Sequence, residues 1–177
     1  MTAAQGGEER AAEFGQLFRA YVPNVRGFVR TLVRPSDVEQ LVSATFETAW
    51  VKFDEIPLLS QRAWLFGVAR NHVRNHARAE RRRLVLVDAI EAMRPAEDVG
   101  LFNGRVDTVE VAPFLRALQS LDDDDREIIQ LATWHELTPA EIAEVLGLNS
   151  NAARVRLHRA RKRLEAAFAG ESGEVTQ

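Results

Sequence analysis

The chain of 177 residues contains no cysteine. This absence excludes disulfide frameworks, zinc sites with thiolate ligands and cysteine nucleophiles, and it fits a protein of the reducing cytoplasm. No apolar run approaches the roughly 20 residues that a membrane-spanning helix needs. The N-terminal sequence MTAAQGGEER also lacks the apolar core of a signal peptide. We therefore expect a cytoplasmic protein that does not insert into membranes.

Motifs for catalysis are missing as well, since the chain has neither a glycine-rich phosphate loop nor a nucleophile motif. His72 and His76 have the spacing of a metal-binding pair, but no glutamate follows His72 and the neighbouring arginines would repel a cation. The four aspartates at 122–125 are better explained by helix capping and the helix dipole than by magnesium. The sequence thus predicts no enzyme, no metal site and no cofactor.

The composition is that of a globular protein, with 46% hydrophobic and 28% charged residues. The net charge of −3 conceals an uneven distribution: residues 1–83 carry +4, residues 84–125 carry −7 and residues 126–168 carry +2. Two basic lobes therefore flank an acidic middle. Because local patches rather than total charge govern binding to nucleic acid, the negative average does not argue against a nucleic-acid partner.

Helical periodicity dominates, and no stretch alternates long enough to predict a strand. An apolar stripe over residues 14–32 predicts a first helix, which Pro23 should kink or restart. Ser36 and Glu39 have the spacing of a capping box for a second helix. A third long helix is expected from about residue 60 to residue 82.

Residues 84–109 combine proline and glycine with acidic side chains and predict a flexible acidic linker. Helices resume after it, and the expected N-caps of the last three are Asp122, Thr138, and Asn149 or Ser150. The expected fold class is all-α, with two small helical domains. Their expected bounds are residues 10–83 and 110–168, with a disordered tail at 169–177.

The strongest local signal is a helix-turn-helix unit at residues 138–164, TPAEIAEVLGLNSNAARVRLHRARKRL. A short capped helix, a turn containing Gly147 and a longer basic helix follow one another. Such a basic helix fits the major groove, with its first residues nearest the base edges. A solvated basic face on a structural helix is the alternative, but turn chemistry and charge together favour DNA. The residues expected to face outward are Asn151, Arg154, Val155, His158, Arg159, Lys162 and Arg163.

The third helix carries a second cationic face. Four arginines from Arg70 to Arg81 recur at helical spacing, interleaved with asparagines and histidines. Such donors beside Trp64 suit contacts to phosphates and to unstacked bases. An ordinary amphipathic helix with a positive face would show the same pattern, so this helix alone leaves both interpretations open.

With two basic helical regions separated by an acidic segment, the chain resembles bacterial sigma factors of the extracytoplasmic-function (ECF) group. In the first part the likeness rests on FGQLFRAYVPNVRGFVRTLV, DVEQLVSATFETAWVKF and RAWLFGVARNHVRNHAR. In the second part it rests on FLRALQSLDDDDREIIQLATWHELTPAEIAEVLGLNSNAARVRLHRARKRL. The second block also looks like LuxR-type regulators, but both blocks in this order favour the sigma factors. The resemblance implies a σ2 domain at about residues 14–82 and a σ4 domain at about 112–165.

This resemblance implies three sets of contacts and a set of partners. Core RNA polymerase would be bound through its β′ clamp helices and β flap, with the clamp contacted by Asp37, Glu39, Gln40, Leu41, Phe46, Glu47 and Trp50. The −10 element would be melted and its bases captured by the loop at residues 56–61 and by Arg62, Trp64, Arg70, Asn71, Arg74, Asn75 and Arg78. The −35 element would be read by Ser150, Asn151, Arg154, Val155, Arg156, His158, Arg159, Lys162 and Arg163.

Three departures from the family pattern bear on these contacts. Gln40 stands where an acid is usual, and Ser43-Ala44 replaces a frequent Gln-Glu pair, which bears on affinity for the core enzyme. Asn151-Ala152-Ala153 stands where Gly-Thr-Val is usual, which bears on the −35 sequence preference. The acidic linker would thread the polymerase towards the RNA exit path, although a merely solvated linker would carry the same charge.

The resemblance implies a dissociable initiation factor, and two other functions stay open. A stand-alone helix-turn-helix regulator would bind a duplex operator tightly without the polymerase. A protein-interaction module would keep both helical faces for a regulatory partner and bind the core enzyme weakly. Many relatives are held inactive by an anti-sigma factor, so a regulatory protein of that kind is a further candidate partner here.

Overall fold

The computed structural model describes residues 3–88 and 112–173. The chain divides into two compact units, Met1–Asn103 and Gly104–Gln177. Over the described residues the regular structure is entirely helical, which confirms the predicted all-α class. The predicted linker from residue 89 onwards and the tail from residue 174 lie outside the described residues.

The described part of the first unit consists of three long helices: α1 (Ala3–Arg30), α2 (Val38–Val51) and α3 (Gln61–Asp88). Short 3₁₀ turns at Pro35–Asp37 and Phe53–Glu55 precede and follow α2. The three helices enclose an apolar core in which Phe28 of α1 stacks on Phe66 of α3, with ring centroids 4.7 Å apart and planes 8° from parallel. Both rings are almost fully buried. This core fixes which faces of α2 and α3 remain at the surface.

The structure departs from two local predictions for the first unit: of the kink or restart expected at Pro23 the restart does not occur, and the capping box expected for α2 does not form. Helix α1 passes through Pro23 without a restart, because one missing N–H donor removes a single helical hydrogen bond and buried residues on both sides hold the helix in place. Ser36 does not cap α2: its hydroxyl donates to Asp37 at 2.9 Å. Glu39 instead pairs with Arg26 of α1, so the tertiary ion pair replaces the expected capping box.

Helix α3 extends to Asp88, beyond the predicted end near residue 82. The first five residues of the predicted linker are therefore helical. The sequence offers the reason, since no proline or glycine occurs between Gly67 and Pro95.

Within residues 112–173 the second unit has four helices: α4 (Ala112–Ser120), α5 (Asp123–Thr133), α6 (Pro139–Leu146) and α7 (Ser150–Gly173). Helix α7 packs against the other three, and its buried side chains are small or aliphatic: Ala153, Leu157 and Ala160. Helix α7 continues to Gly173, past the predicted end near Phe168, so the first part of the predicted tail is helical.

Capping residues set the starts and stops of these helices as predicted. The Asp122 carboxylate accepts a hydrogen bond of 2.8 Å from the N–H of Asp125. Thr138 and Glu141 form the reciprocal capping box of α6, and Gly147 ends that helix with a φ of 67°. Asn149 is the N-cap of α7, because its side-chain oxygen accepts from the N–H of Ala152 at 2.8 Å.

An arginine side chain provides hydrogen bonds to the backbone carbonyl oxygens at the end of α4, a contact that the sequence analysis did not predict. The Arg126 guanidinium donates to the carbonyl oxygens of Leu118 at 3.1 Å, Gln119 at 2.8 Å and Leu121 at 2.6 Å. These carbonyls lie at the C-terminal end of the helix, where the main chain supplies too few donors. Arg126 thereby fixes the start of α5 relative to α4.

Candidate polymerase and nucleic-acid interfaces

Helix α2 presents one exposed face to solvent. Gln40, Ser43, Glu47 and Val51 recur every three or four residues and are all exposed, and Val51 keeps 76% of its surface. We call these four residues the α2 stripe. Trp50 lies at its edge and is 42% exposed. The stripe contains the predicted contacts Gln40 and Glu47, together with Ser43 and Val51, which were not predicted as contacts.

Two predicted polymerase contacts lie on the opposite side of α2. Leu41 is 5% exposed and Phe46 is 4% exposed. Apolar side chains buried to this extent face the core of the unit and are not available to a partner. In this conformation they hold α2 in place. Their match to the family pattern is therefore explained by packing in the core rather than by contact with the polymerase.

Asp37, another predicted contact, is held by intramolecular partners at the start of α2. Its carboxylate lies 3.3 Å from Arg34 Nε and 3.2 Å from His76 Nε2 of α3, and it accepts a hydrogen bond of 2.9 Å from Ser36. Burial favours the neutral acid, but the hydrogen bonds from Ser36 and His76 and the charge of Arg34 outweigh it and lower the pKa of Asp37. The carboxylate therefore joins α2 to α3.

Glu39 is likewise engaged within the unit. Arg26 of α1 donates to both of its carboxylate oxygens, at 2.8 Å and 3.0 Å. This bidentate pair lowers the pKa of Glu39 and raises that of Arg26. The pair lies at the surface, so Glu39 remains exposed while Arg26 of α1 fixes the orientation of its carboxylate.

An aromatic cluster supports the C-terminal end of α2. The Phe14 ring meets those of Trp50 and Phe53 edge-on, at centroid distances of 5.0 Å and 5.6 Å. The Arg10 guanidinium lies 5.4 Å from the Trp50 ring centroid and donates to the Trp50 carbonyl at 3.1 Å. It also pairs with Asp54 at 3.2 Å. Trp50 is thus anchored by α1, with part of its ring left at the surface.

The cationic face of α3 is largely brought together as predicted. Asn71, Arg74, Asn75 and Arg78 are exposed and share one side of the helix. Trp64 is half-buried two turns earlier on the same side. Arg62 lies nine residues before Asn71, or about two and a half turns, and so faces the other way. Arg70 is half-buried at the edge of this face.

The loop before α3 presents two apolar side chains to solvent. Leu58 is 85% exposed and Leu59 is 103% exposed, whereas Ile56 at the base of the loop is buried. Exposed leucines beside a cationic helix suit apolar contact with an unstacked base. His72 takes no part in the cationic face, because its Nε2 lies 2.8 Å from the Thr48 hydroxyl of α2.

No group of three or more histidine and acidic side chains within residues 3–88 and 112–173 is arranged to hold a metal ion. None of the helices in those ranges is long and apolar enough to cross a membrane.

Helix α7 displays the predicted recognition face. Seven of the predicted contacts are exposed and share one side, opposite the buried Ala153 and Leu157. They are Ser150, Asn151, Arg154, Val155, His158, Arg159 and Lys162. Val155 is the apolar member, at 41% exposure. A side with several cations and one apolar side chain suits base edges and phosphates in a major groove.

Two predicted DNA contacts of α7 face a different neighbour. Arg156 pairs with Asp124, and Arg163 pairs with Asp125 and, at 3.3 Å, with Asp122. The Asp125 side chain is only 5% exposed, and its carboxylate raises the pKa of Arg163. Arg156 and Arg163 are thus paired with the start of α5, and the Arg163 side chain stays 59% exposed.

Comparison with known proteins assigns the two units. Residues 17–83 match the family model described as Sigma-70 region 2, and residues 112–164 match Sigma-70, region 4. The RNA polymerase sigma factor CnrH of Cupriavidus metallidurans is 31% identical over 96% of this chain and 92% of its own length. The ECF RNA polymerase sigma factor BldN of Streptomyces coelicolor is 31% identical over 89% of this chain and 60% of its own length.

The chain belongs to the ECF RNA polymerase sigma factors. It is an alternative sigma factor that directs transcription initiation, and its partners are core RNA polymerase and promoter DNA. The relatives are initiation factors and not catalysts in themselves.

Solved sigma-factor structures show the same fold. The sigma factor RpoE from Bartonella quintana, solved with the anti-sigma factor NepR, matches with a TM-score of 0.67 and 26% identity over 89% of this chain and 97% of that one. CnrH, solved with the cytosolic domain of CnrY, matches with a TM-score of 0.62 and 28% identity over 95% of each chain. The ECF sigma factor described here therefore shares the helical fold of these relatives.

Proposed function

We propose that this sigma factor divides initiation among three surfaces: the α2 stripe binds the β′ clamp helices of core polymerase, the α3 face opens the −10 element, and α7 reads the −35 element. The observation that carries the proposal is the exposure of three separate polar faces on helices whose opposite sides are buried. Each face has the side-chain chemistry that its target requires.

For the polymerase surface, the α2 stripe offers the amide of Gln40, the hydroxyl of Ser43 and the carboxylate of Glu47. Asp37 and Glu39 set the angle of α2 through their pairs with α3 and α1. Leu41 and Phe46 support the stripe from beneath. The stripe bears a single carboxylate, so its amide and hydroxyl supply the other polar contacts to the clamp.

For the −10 element, the exposed side of α3 provides two arginines and two asparagines, with Trp64 on the same side. Cationic side chains hold the phosphates of the displaced strand, and amide groups bond to the edges of unstacked bases. Leu58 and Leu59 cover the neighbouring loop with apolar surface. Capture of bases on this surface offsets the free energy lost when the duplex unstacks.

For the −35 element, Asn151, Arg154 and Val155 occupy the first turns of α7, which reach the base edges in a helix-turn-helix. His158, Arg159 and Lys162 continue the same side towards the phosphates. The σ2 domain then spans residues 10–83 and the σ4 domain residues 110–168. Both act in the cytoplasm, where core polymerase works.

The experiment that tests the proposal is reconstitution. Purified full-length protein is run with core RNA polymerase on a sizing column, and the complex is then assayed by run-off transcription on genomic fragments. Co-elution with new, discrete transcripts is the expected result, and it supplies the promoter sequences. Elution apart from the core enzyme would overturn the docking assignment. Tight binding of promoter duplex by the free protein would favour the stand-alone regulator instead.

A second proposal concerns a regulatory protein. The RpoE relative was solved with an anti-sigma factor, and CnrH with the cytosolic domain of CnrY. We infer that this chain is also held by an inhibitory protein. The test is co-purification of the tagged chain from its native cells, followed by addition of the purified partner to the run-off reaction. Inhibition that excess sigma factor relieves is expected, whereas unchanged transcript yield would contradict it.

A further inference from the structure

The four aspartates at residues 122–125, which we call the acidic turn, lie beside the recognition helix. Asp122 is the N-cap of α5, and the other three form the first turn of that helix. Helix capping and the helix dipole explain why acids are tolerated there. They do not explain why three of these carboxylates pair with arginines of α7.

The pairs lie on one flank of α7. Arg156 and Arg163 are seven residues apart, close to two full turns, and so project from the same flank. Arg154, Arg159 and Lys162 lie on the exposed side, and no ion pair within the described part of the second unit involves them. The acidic turn therefore sorts the cations of α7 into a neutralised flank and a charged face.

We propose that the acidic turn is a specificity-determining element, which withholds Arg156 and Arg163 from DNA phosphates. Sequence-independent attraction of a helix to DNA grows with every cation that neutralises a phosphate. Two cations held by carboxylates contribute little to that attraction. Selection of the promoter then depends on the contacts of Asn151, Arg154 and Arg159. The inference rests on the proposed −35 role of α7.

The two arginines are held with different strength. Arg163 meets the buried Asp125 as well as the exposed Asp122, so loss of Asp122 still leaves it paired. Arg156 meets Asp124, whose side chain is 66% exposed. Asp124 is therefore the carboxylate whose removal releases a cation, and the substitution leaves the N-cap of α5 in place.

The test uses the holoenzyme with two duplex probes: the −35 region of a promoter recovered by run-off transcription, and the same duplex with that element scrambled. Binding is measured over a series of salt concentrations for the wild-type chain, Asp124→Asn, Arg156→Ala, the double variant of these two and Arg154→Ala. Asp122→Asn is the matched control, because it removes one charge from the same turn, keeps the cap and leaves Arg163 paired with Asp125.

Asp124→Asn is expected to steepen the salt dependence by about one phosphate contact, so that about a fourfold rise in salt costs it roughly 3.5 times more affinity than it costs the wild type. Its preference for the intact element should fall. Arg156→Ala alone should change the salt dependence little. In the double variant, the same substitution should abolish the increase in salt dependence that Asp124→Asn causes. Asp122→Asn should match the wild type.

Three results would overturn the inference. They are an equal gain from Asp122→Asn, a gain that survives in the double variant, and a loss from Arg156→Ala alone as large as that from Arg154→Ala. The first two would mean that the acidic turn acts only by repelling DNA through its negative charge. The third would mean that Arg156 already contacts a phosphate in the wild-type chain. If the wild-type holoenzyme binds both probes equally, the −35 assignment fails, while the salt dependence still decides the role of the turn.

Discussion

His76 Nε2 of α3 lies 3.2 Å from the Asp37 carboxylate at the start of α2. One bond thus connects the helix proposed to dock on core polymerase with the helix proposed to open the promoter. Arg34 completes the connection, because it contacts Asp37 at 3.3 Å and Glu80 of α3 at 3.6 Å. The relative position of the two surfaces is therefore set inside the domain, before any partner binds.

Acid should weaken this connection. The pKa of Asp37 is lower in the folded chain than its ordinary value of 3.8, so the folded state binds this proton less readily than the unfolded chain. Asp37 contributes its full stabilisation at pH values above its ordinary pKa. This stabilisation is lost as the pH falls through the lower pKa that Asp37 has in the folded chain. Urea unfolding of the wild type should therefore lose stability below about pH 4.

Asp37→Asn is the variant that tests this pH dependence. It should be less stable than the wild type at neutral pH and should show a smaller loss on acidification, whereas Glu47→Gln, at an exposed position, should follow the wild type. If the free energy of unfolding depends on pH in the same way for Asp37→Asn and the wild type, Asp37 does not contribute to the loss of stability in acid.

Charge reversal on the α2 stripe should release the core enzyme. Glu47→Arg places a cation where the proposal needs a carboxylate, and because Glu47 is exposed the fold should tolerate it. Affinity for core polymerase, measured by fluorescence anisotropy, should fall by more than about tenfold if the contact is worth roughly 1.4 kcal/mol or more. The melting temperature should stay within about 2 °C of the wild type.

Glu13→Arg is the control for that experiment, since it makes the same charge change at an exposed position of α1. An equal loss in both variants would mean that total charge rather than the stripe governs docking. Leu41→Ala is not a suitable substitute, because emptying a buried site destabilises the domain whatever the interface does.

Charge reversal on α3 should block promoter opening and spare core binding. Arg74→Glu with Arg78→Glu replaces two exposed cations on the proposed strand-binding face. Because contacts of this kind are worth roughly 1–3 kcal/mol each, the permanganate reactivity of promoter thymines should fall by more than about tenfold. Arg19→Glu on the exposed surface of α1 should leave it unchanged. Normal reactivity in the double variant would remove α3 from the melting step.

Removal of cations from the recognition face should affect only promoters that depend on the −35 element. Arg154→Ala with Arg159→Ala leaves the buried side of α7 untouched. Each lost base or phosphate contact is worth about 1–3 kcal/mol, so transcript yield should fall by about tenfold or more. Promoters with a scrambled −35 element provide the comparison. Equal output from intact and scrambled promoters with the wild-type chain would contradict the assignment.

Local signals predicted most of the second unit. Asp122, Thr138 and Asn149 cap their helices as their residue types and positions indicate, and Gly147 adopts the positive φ that ends α6. These features depend on neighbours within three or four residues along the chain. The outward position of Arg154, Arg159 and Lys162 follows equally from periodicity.

Side chains with partners far along the chain were not predictable in this way. Glu39 has the spacing of a capping box but bonds to Arg26, and Asp37 matches a pattern for polymerase contact but is held by His76. Arg156 and Arg163 match basic positions of the family but pair with the acidic turn. Nothing in the local pattern distinguishes a cation that faces solvent from one that faces a carboxylate on another helix.

The sequence by itself determined the helical class, the positions of most helix ends, the cationic faces of α3 and α7, and the membership in the sigma-factor family. These are consequences of short-range hydrogen bonding and of periodic hydrophobicity, which act along the chain. Only the tertiary structure decided which charged and apolar residues are available to partners. Availability depends on what packs beside a residue, and folding buried Leu41 and Phe46, joined Asp37 to His76 and neutralised one flank of α7.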